Sequence, residues 1–152
     1  MPVTEVSVSK NQVLQDFLTR HRLRPRVLQR VEAWYAPLAE QLASQHATAG
    51  RPLLVGINGS QGSGKSTLAS LLALLLKQIH GLRVVQLSID DFYLTREARR
   101  SLAKRAHPLL ATRGVPGTHD LPLMRETLQR LLHGNGEVPI PCFDKASDDR
   151  CP

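Results

Sequence analysis

The glycine-rich stretch at residues 56–67, GINGSQGSGKST, constrains the fold of this chain more than any other feature. It overlaps the end of a short apolar run, residues 53–57, which shows no alternation and therefore predicts a strand buried on both faces of a parallel sheet. After it, residues 65–79 are apolar on nearly every side, which predicts a buried helix. A flexible turn between a buried strand and a buried helix allows successive backbone amides to surround an anion.

Residues 59–66 fit the pattern G-x-x-x-x-G-K-[ST], the P-loop or Walker A motif. In such loops the lysine, here Lys65, reaches the β- and γ-phosphates, and the hydroxyl of Ser66 ligates Mg²⁺. Thr67 can donate to the α-phosphate, and the dipole of the helix that begins at Lys65 adds positive potential. We therefore predict a site for ATP and Mg²⁺. Its residues are Gly59, Ser60, Gln61, Gly62, Ser63, Gly64, Lys65, Ser66 and Thr67.

A second apolar run, residues 83–89, predicts the next parallel strand, which completes a right-handed βαβ unit. The run leads into SIDDFYLT, so Asp90 and Asp91 stand at the carboxyl end of a strand, where open α/β sheets bind ligands. A carboxylate there can accept the proton of an attacking hydroxyl or help to organise Mg²⁺. The pair favours phosphoryl transfer, with an ordinary aspartate turn as the alternative.

Helical patterns dominate the first third of the chain. Residues 1–50 predict a helical N-terminal segment, in which Pro37 should kink or interrupt a helix. Trp34 and Tyr35 lie on its apolar face and are expected to pack against neighbours rather than stack on a ligand. Turn residues at 48–52 close this segment.

Two further helices are predicted, at residues 96–106 and 121–132. The first is strongly basic, which indicates either a solvated helix face or a patch that binds phosphate or nucleic acid. The second has Asp120 as its expected N-cap and Pro122 in its first turn.

Composition narrows the classes of function. The formal net charge of +7 favours anionic partners, but the positive charge is spread along the chain and does not by itself predict nucleic-acid binding. Cys142 and Cys151 have no metal-ligand spacing, and the N-terminus lacks the pattern of a signal peptide, so free thiols in a cytoplasmic protein are expected. The longest apolar run, residues 68–76, is far shorter than the roughly 20 residues that span a bilayer, so we expect a soluble protein with no membrane partner.

Four segments together resemble the P-loop kinases of the D-glycerate 3-kinase family and, more distantly, uridine kinase, phosphoribulokinase and bacterial pantothenate kinase. They are GINGSQGSGKST, SIDDFYLT, HPLLATRGVPGTHDL and PIPCFDKASDDR. The resemblance implies a P-loop NTPase-type α/β fold, a three-layer α/β/α sandwich with a parallel sheet. It also implies ATP-dependent phosphorylation of a small hydroxy acid, D-glycerate, to 3-phosphoglycerate. Two alternative functions remain. The chain could belong to a kinase that phosphorylates the acceptor of one of the related enzymes, or it could be an ATP-binding fragment without catalytic activity.

The resemblance also implies roles for individual residues. Asp90 matches the carboxylate that serves as catalytic base in the uridine kinase relatives, and it or its neighbour would help to hold the metal. Lys65 would stabilise the transferring phosphoryl group, and an arginine suits two-point recognition of the acceptor's carboxylate. The residues that would bind the acceptor are Asp91, Tyr93, Arg113, Thr118, His119, Asp120, Lys145 and Arg150.

Members of this family continue further than this chain, into a Walker B-type strand, a cationic lid and an adenine-binding loop. Residues 51–152 are therefore expected to be the N-terminal part of the kinase domain, preceded by the helical segment at residues 1–50. In related kinases the Walker B-type strand lies beside the P-loop strand, so a chain without it would have an unpaired strand edge. The sequence leaves the oligomeric state open.

Overall fold

A computed structural model describes residues 10–133 and 136–151 of the chain. The chain divides into two compact units, Met1–Gln86 and Leu87–Pro152. The first contains the glycine-rich loop, and the second contains every residue that the family resemblance assigns to the acceptor. Among the described residues, no helix combines the length and the apolar character needed to cross a membrane.

Four α-helices make up most of the described part of the first unit. Helix α1 spans Lys10–Arg20, α2 spans Val27–Arg30, α3 spans Ala36–Ala49 and α4 spans Lys65–His80. The helical prediction is confirmed over most of residues 10–49, whereas residues 1–9 lie outside the described residues. The expected end of α4 is also confirmed, because Gly81 adopts φ 65° and its amide donates to the last turn.

A π-helical stretch, Val31–Tyr35, joins α2 to α3 just before Pro37. Proline has no amide hydrogen, so the α-helical pattern cannot run through it unbroken, and the predicted interruption is confirmed. Tyr35 packs against the core, as expected. The same expectation for Trp34 is wrong, since 72% of this residue is exposed to solvent. The π-helical stretch alters the helical periodicity from which its packing was inferred.

One apolar cluster stabilises the first unit. Its buried members come from α1, the π-helical stretch, α3 and α4. Burying a leucine side chain stabilises a fold by roughly 1.5–3 kcal/mol, so the leucine-rich face of α4 is the main contribution. The buried residues are Phe17, Val31, Ala39, Leu71, Leu72, Leu75 and Leu76.

The two predicted parallel strands are not formed by the described residues. Residues 53–57 and 83–88 have no strand pairing, and the sheet that the described residues do form is antiparallel, with two strands. A buried strand requires hydrogen-bonded neighbours and a covering layer, and here Leu54 is 65% exposed and Val85 is 54% exposed. The parallel three-layer arrangement is therefore not confirmed by these residues.

The second unit begins with a 3₁₀ turn at Ile89–Phe92 and continues through α5, Arg96–Arg105, and a second 3₁₀ turn, Pro108–Ala111. Helix α6 follows at Leu121–His133, and a short hairpin pairs β1, Phe143–Asp144, with β2, Asp149–Arg150. The Asp120 carboxylate accepts a hydrogen bond from the Leu123 amide at 3.0 Å, which confirms it as the N-cap of α6. Both helices begin where they were predicted to begin.

Candidate functional site

The glycine-rich loop forms a tight turn at the start of α4. Gly62 and Gly64 adopt φ values of 76° and 86°, a region that glycine enters far more readily than other residues. The Lys65 ammonium group donates to the carbonyl oxygens of Gly59 at 2.8 Å and Ser60 at 2.7 Å. The lysine thus lies across its own loop, and the other residues predicted to bind the nucleotide lie in this loop or in the first turn of α4.

In the second unit, the side chains of the adjacent residues Asp90 and Asp91 make different contacts. Asp91 belongs to a capping box: its carboxylate accepts from the Ser88 amide at 3.1 Å, while the Ser88 hydroxyl accepts from the Asp90 amide at 3.2 Å. The other oxygen of Asp91 accepts from the Phe143 amide at 3.4 Å. Asp91 therefore holds the backbone of the 3₁₀ turn, and the side chain of Asp90 is the one available for chemistry.

Asp90 forms an ion pair with Lys145, with 2.6 Å between the carboxylate and ammonium groups. The hydrogen bond from Lys145 is the largest cause that lowers the pKa of Asp90, partial burial opposes it, and the Tyr93 hydroxyl adds a smaller lowering effect. The pKa of Tyr93 is raised, first by burial and then by the charge of Asp90. Asp90 is therefore ionised and Tyr93 is a neutral hydroxyl at neutral pH.

His119 lies against Tyr93. Their rings stack with centroids 4.3 Å apart, and their backbones form an isolated antiparallel bridge. The Nε2 atom of His119 is buried and has no hydrogen-bond partner among the described residues. A buried polar atom without a partner is costly, which makes this nitrogen a candidate contact for a ligand. We call Asp90, Tyr93, His119 and Lys145 the Asp90 cluster.

Two of the residues predicted to bind the phosphoryl acceptor contact each other. Arg150 and Asp120 form an ion pair at 2.7 Å, and Arg150 also donates to the Tyr93 carbonyl at 3.0 Å. Burial raises the pKa of Asp120, but the hydrogen bonds from Arg150 and the Leu123 amide outweigh it, so this pKa lies below its ordinary value. The hydroxyl of Thr118, which is fully buried, donates to a backbone carbonyl at 2.6 Å. These three side chains stabilise the fold around the Asp90 cluster.

A second group surrounds Asp148, and most of it was missed from the sequence. Asp148 forms ion pairs with Arg99 at 3.0 Å and with Arg113 at 2.7 Å. The guanidinium carbons of Arg99 and Arg113 lie 5.6 Å and 5.9 Å from the ring centroid of Phe143. We call these four residues the Asp148 cluster. The Arg113 guanidinium also donates to the Lys145 carbonyl at 3.2 Å, which joins this cluster to the first.

Several known proteins resemble this chain in sequence or in fold. A family model described as methylmalonyl Co-A mutase-associated GTPase MeaB matches residues 25–93. The uncharacterized kinase mug58 of Schizosaccharomyces pombe is 44% identical over 108 residues, an alignment that covers 69% of this chain and 39% of the relative. The chloroplastic D-glycerate 3-kinase of Arabidopsis thaliana is 43% identical over 101 residues, with 63% and 22% covered. The solved D-glycerate 3-kinase of Cryptococcus neoformans var. grubii matches with a TM-score of 0.62 and 34% identity, covering 76% of this chain and 44% of that one.

This chain is similar to P-loop kinases related to D-glycerate 3-kinase. The resemblance inferred from the sequence is confirmed, and with it an α/β fold of the P-loop NTPase type. The chain spans less than half the length of each of these kinases.

The basic helix α5 fits the solvated-face alternative drawn from its sequence except at one arginine, which is buried. Arg96, Arg100 and Lys104 are exposed, as on a solvated helix face, whereas Arg99 is fully buried. No local pattern sets Arg99 apart from the arginines beside it, because its partner Asp148 lies 49 positions away. The missed residues of the Asp148 cluster could be found only from contacts that are distant in sequence.

The expectation of free thiols is wrong, because Cys142 and Cys151 form a disulfide. The β1–β2 hairpin reverses the chain between them, and the Cys151 amide donates to the Cys142 carbonyl at 2.9 Å. Their Cα atoms are 5.3 Å apart, which lies within the range that a disulfide requires. Residue spacing alone does not reveal this pairing, since it depends on the register of the hairpin.

Proposed function

We propose that this chain is part of an ATP-dependent kinase that phosphorylates a hydroxyl group of D-glycerate. The observation that carries the proposal is the division of roles between the adjacent aspartates. Asp91 stabilises the 3₁₀ turn, while the Asp90 carboxylate is ionised beside Lys145 and Tyr93. An ionised carboxylate with a cation and a hydroxyl around it suits deprotonation of an acceptor hydroxyl.

The nucleotide would bind at residues 59–67. The amides of the loop would hold the phosphates, and Lys65 would exchange its bonds to the Gly59 and Ser60 carbonyls for bonds to phosphate oxygens. Ser66 offers a hydroxyl oxygen, the hard type of ligand that Mg²⁺ prefers, and Mg²⁺ usually takes only one or two protein ligands at such sites. When bound, this ion would neutralise charge on the transferring phosphoryl group.

The acceptor would bind at the Asp90 cluster. Asp90 would accept the proton of the acceptor hydroxyl as that oxygen attacks the γ-phosphorus, and the bond from the γ-phosphorus to the β–γ bridging oxygen would break to release ADP. We propose Asp90 as the base rather than a metal ligand, because its Oδ2 atom already contacts Lys145. His119, Lys145 and Arg113 would then provide the hydrogen bonds and positive charge that a hydroxy acid needs.

The proposal is tested by ADP release from the purified chain with MgATP and a panel of acceptors: D-glycerate, pantothenate, uridine and ribulose 5-phosphate. We expect release that depends on D-glycerate and is lost in Lys65→Ala. Lys77→Ala is the matched control, because Lys77 is an exposed lysine in the last turn of the same helix. Release with another acceptor, or none from a chain that circular dichroism shows to be folded, would contradict the glycerate assignment.

A further inference from the structure

Arg99 is the largest fully buried side chain of the described residues. Removing a guanidinium group from water costs several kcal/mol unless its donors are satisfied. Here Nε donates to the Leu94 carbonyl at 3.2 Å and Nη1 donates to the Ala111 carbonyl at 3.3 Å. Nη2 donates to the Asp148 carbonyl at 2.6 Å and pairs with the Asp148 carboxylate at 3.0 Å. Pairing of all three nitrogens at once requires several segments to be held in one arrangement.

The segments that Arg99 joins are those that carry the Asp90 cluster and Arg113. Leu94 directly follows Tyr93, and Ala111 stands two positions before Arg113. Asp148 lies in the turn of the β1–β2 hairpin, the same turn that carries Lys145. One buried side chain therefore fixes three segments, and each of them carries a residue proposed to bind the acceptor.

Asp148 transmits this arrangement to Arg113. Its Oδ2 atom contacts Arg99 and its Oδ1 atom contacts Arg113. Its backbone adopts φ 58°, in the left-handed region that aspartate enters more readily than most residues with a side chain. The two arginine contacts hold its carboxylate in place.

The charges of this group leave Arg113 with unmatched positive charge. Two guanidinium groups share the single carboxylate of Asp148. Arg99 is fully buried and its three nitrogens already donate, whereas the Arg113 side chain is 34% exposed and donates through Nη1. The exposed part of Arg113 is thus suited to an anionic group of the acceptor.

We propose that Arg99 is a positioning residue for the acceptor. Through Asp148 it orients Arg113 toward the acceptor's carboxylate, and through the hairpin turn it holds Lys145 against Asp90. The proposal rests on the proposed function for the identity of the acceptor. Selectivity for an anionic acceptor then depends on Arg99, a side chain that does not touch the acceptor.

The first test compares Arg99→Lys with Arg100→Lys, an exposed arginine beside it on α5. Lysine keeps the charge but lacks the planar fork that satisfies several carbonyls at once. We expect Arg99→Lys to raise the KM for D-glycerate about tenfold, while the KM for ATP changes by less than about twofold and Arg100→Lys behaves as the wild type. Equal rises in both KM values, or no rise relative to Arg100→Lys, would overturn the inference.

A second variant, Asp148→Asn, guards against a simple failure of Arg99→Lys to fold. It removes the charge that joins Arg99 to Arg113 while keeping the shape of the side chain. We expect the same selective rise in the KM for D-glycerate, and the double variant should show less than the sum of the two effects in free energy, because both act through one path. Additive effects would contradict that path.

Amide hydrogen exchange tests the positioning without any turnover. The Arg96 amide donates to Asp149 and the Phe143 amide donates to Asp91, so both report on how the hairpin is held. Arg99→Lys should speed exchange at both amides relative to Arg100→Lys, and unchanged exchange would refute the positioning role. Faster exchange in a chain whose wild type shows no glycerate-dependent turnover would retain the positioning role and reject the proposed function.

Discussion

The glycine-rich loop and the two clusters, the Asp90 cluster and the Asp148 cluster, differ in how far apart in sequence their contacting residues are. In the loop, Lys65 bonds to carbonyls five and six positions away. In the clusters, Arg150 bonds to a carbonyl 57 positions away and Arg99 to one 49 positions away. The loop is shaped by local backbone conformation, and the clusters are shaped by the folding of a whole unit.

The two regions should therefore respond differently to substitution. A change in the loop alters a few φ angles and should leave distant segments in place. A change in the clusters removes a partner from a network and leaves another charged group without compensation, which costs more when that group is buried.

The largest effect is expected from the two aspartates of the 3₁₀ turn. Asp90→Asn should lower kcat by about 10²–10⁴-fold, because it removes the proposed base. Asp91→Asn should lower the free energy of unfolding by about 1 kcal/mol, because it weakens the capping box, and should change kcat only a few-fold. Steady-state kinetics and urea unfolding of both variants measure the difference. The reverse pattern would mean that the roles are exchanged.

A second prediction concerns the disulfide that closes the hairpin. Cys142→Ser with Cys151→Ser should lower the free energy of unfolding by roughly 2–3 kcal/mol, since the cross-link closes a loop with a sequence separation of 9. Urea unfolding followed by circular dichroism measures this loss. A reductant should produce the same loss in the wild type and no further loss in the double serine variant, and identical midpoints under all conditions would contradict the prediction.

A smaller effect is expected from a substitution in the glycine-rich loop. Gly64→Ala should cost about 1–2 kcal/mol, because alanine is strained at φ 86°. Gly56→Ala is the matched control, since a Cβ atom there would meet nothing within 4 Å and the backbone needs no positive φ. Binding of a fluorescent ATP analogue should weaken in the first variant only. Equal affinities would mean that the loop tolerates a side chain at residue 64.

The smallest effect is expected from the exposed pair of Lys145 and Asp90, whose side chains are 61% and 40% exposed. Pairs of this kind contribute about 0.2–1 kcal/mol. Because the pair lowers the pKa of Asp90, its contribution is present above the unfolded pKa, near 3.9, and is lost as the pH falls through the lower folded value. Lys145→Met should therefore move the acidic limb of the kcat/KM profile to higher pH. A limb that does not move would exclude this ion pair as the cause.

The features that the sequence predicted are those governed by nearby residues. The starts of α4, α5 and α6, the cap at Asp120 and the glycine-rich turn all depend on contacts within a few positions. Local backbone chemistry is sufficient for them, and the family resemblance is carried by the same short segments.

The features that the sequence did not predict depend on pairing across the chain. Burial of Arg99 and the hydrogen bond from the Phe143 amide to Asp91 require the hairpin to lie against α5 and the 3₁₀ turn, and the disulfide requires the register of the hairpin itself. The expected parallel strands are absent from the described residues for the same reason, namely that they depend on pairing with distant segments. Their apolar composition indicates a strand, but a strand exists only where a neighbour accepts and donates its backbone hydrogen bonds.

The exposure of Trp34 determines how folding of this protein can be observed. It is the one tryptophan of the chain, and 72% of it is exposed in the folded state. Its indole ring is already hydrated, so its fluorescence should emit at long wavelength, be quenched readily by iodide and change little when the chain unfolds. Far-ultraviolet circular dichroism, which reports on the helices, is therefore the signal of choice for every stability measurement proposed above.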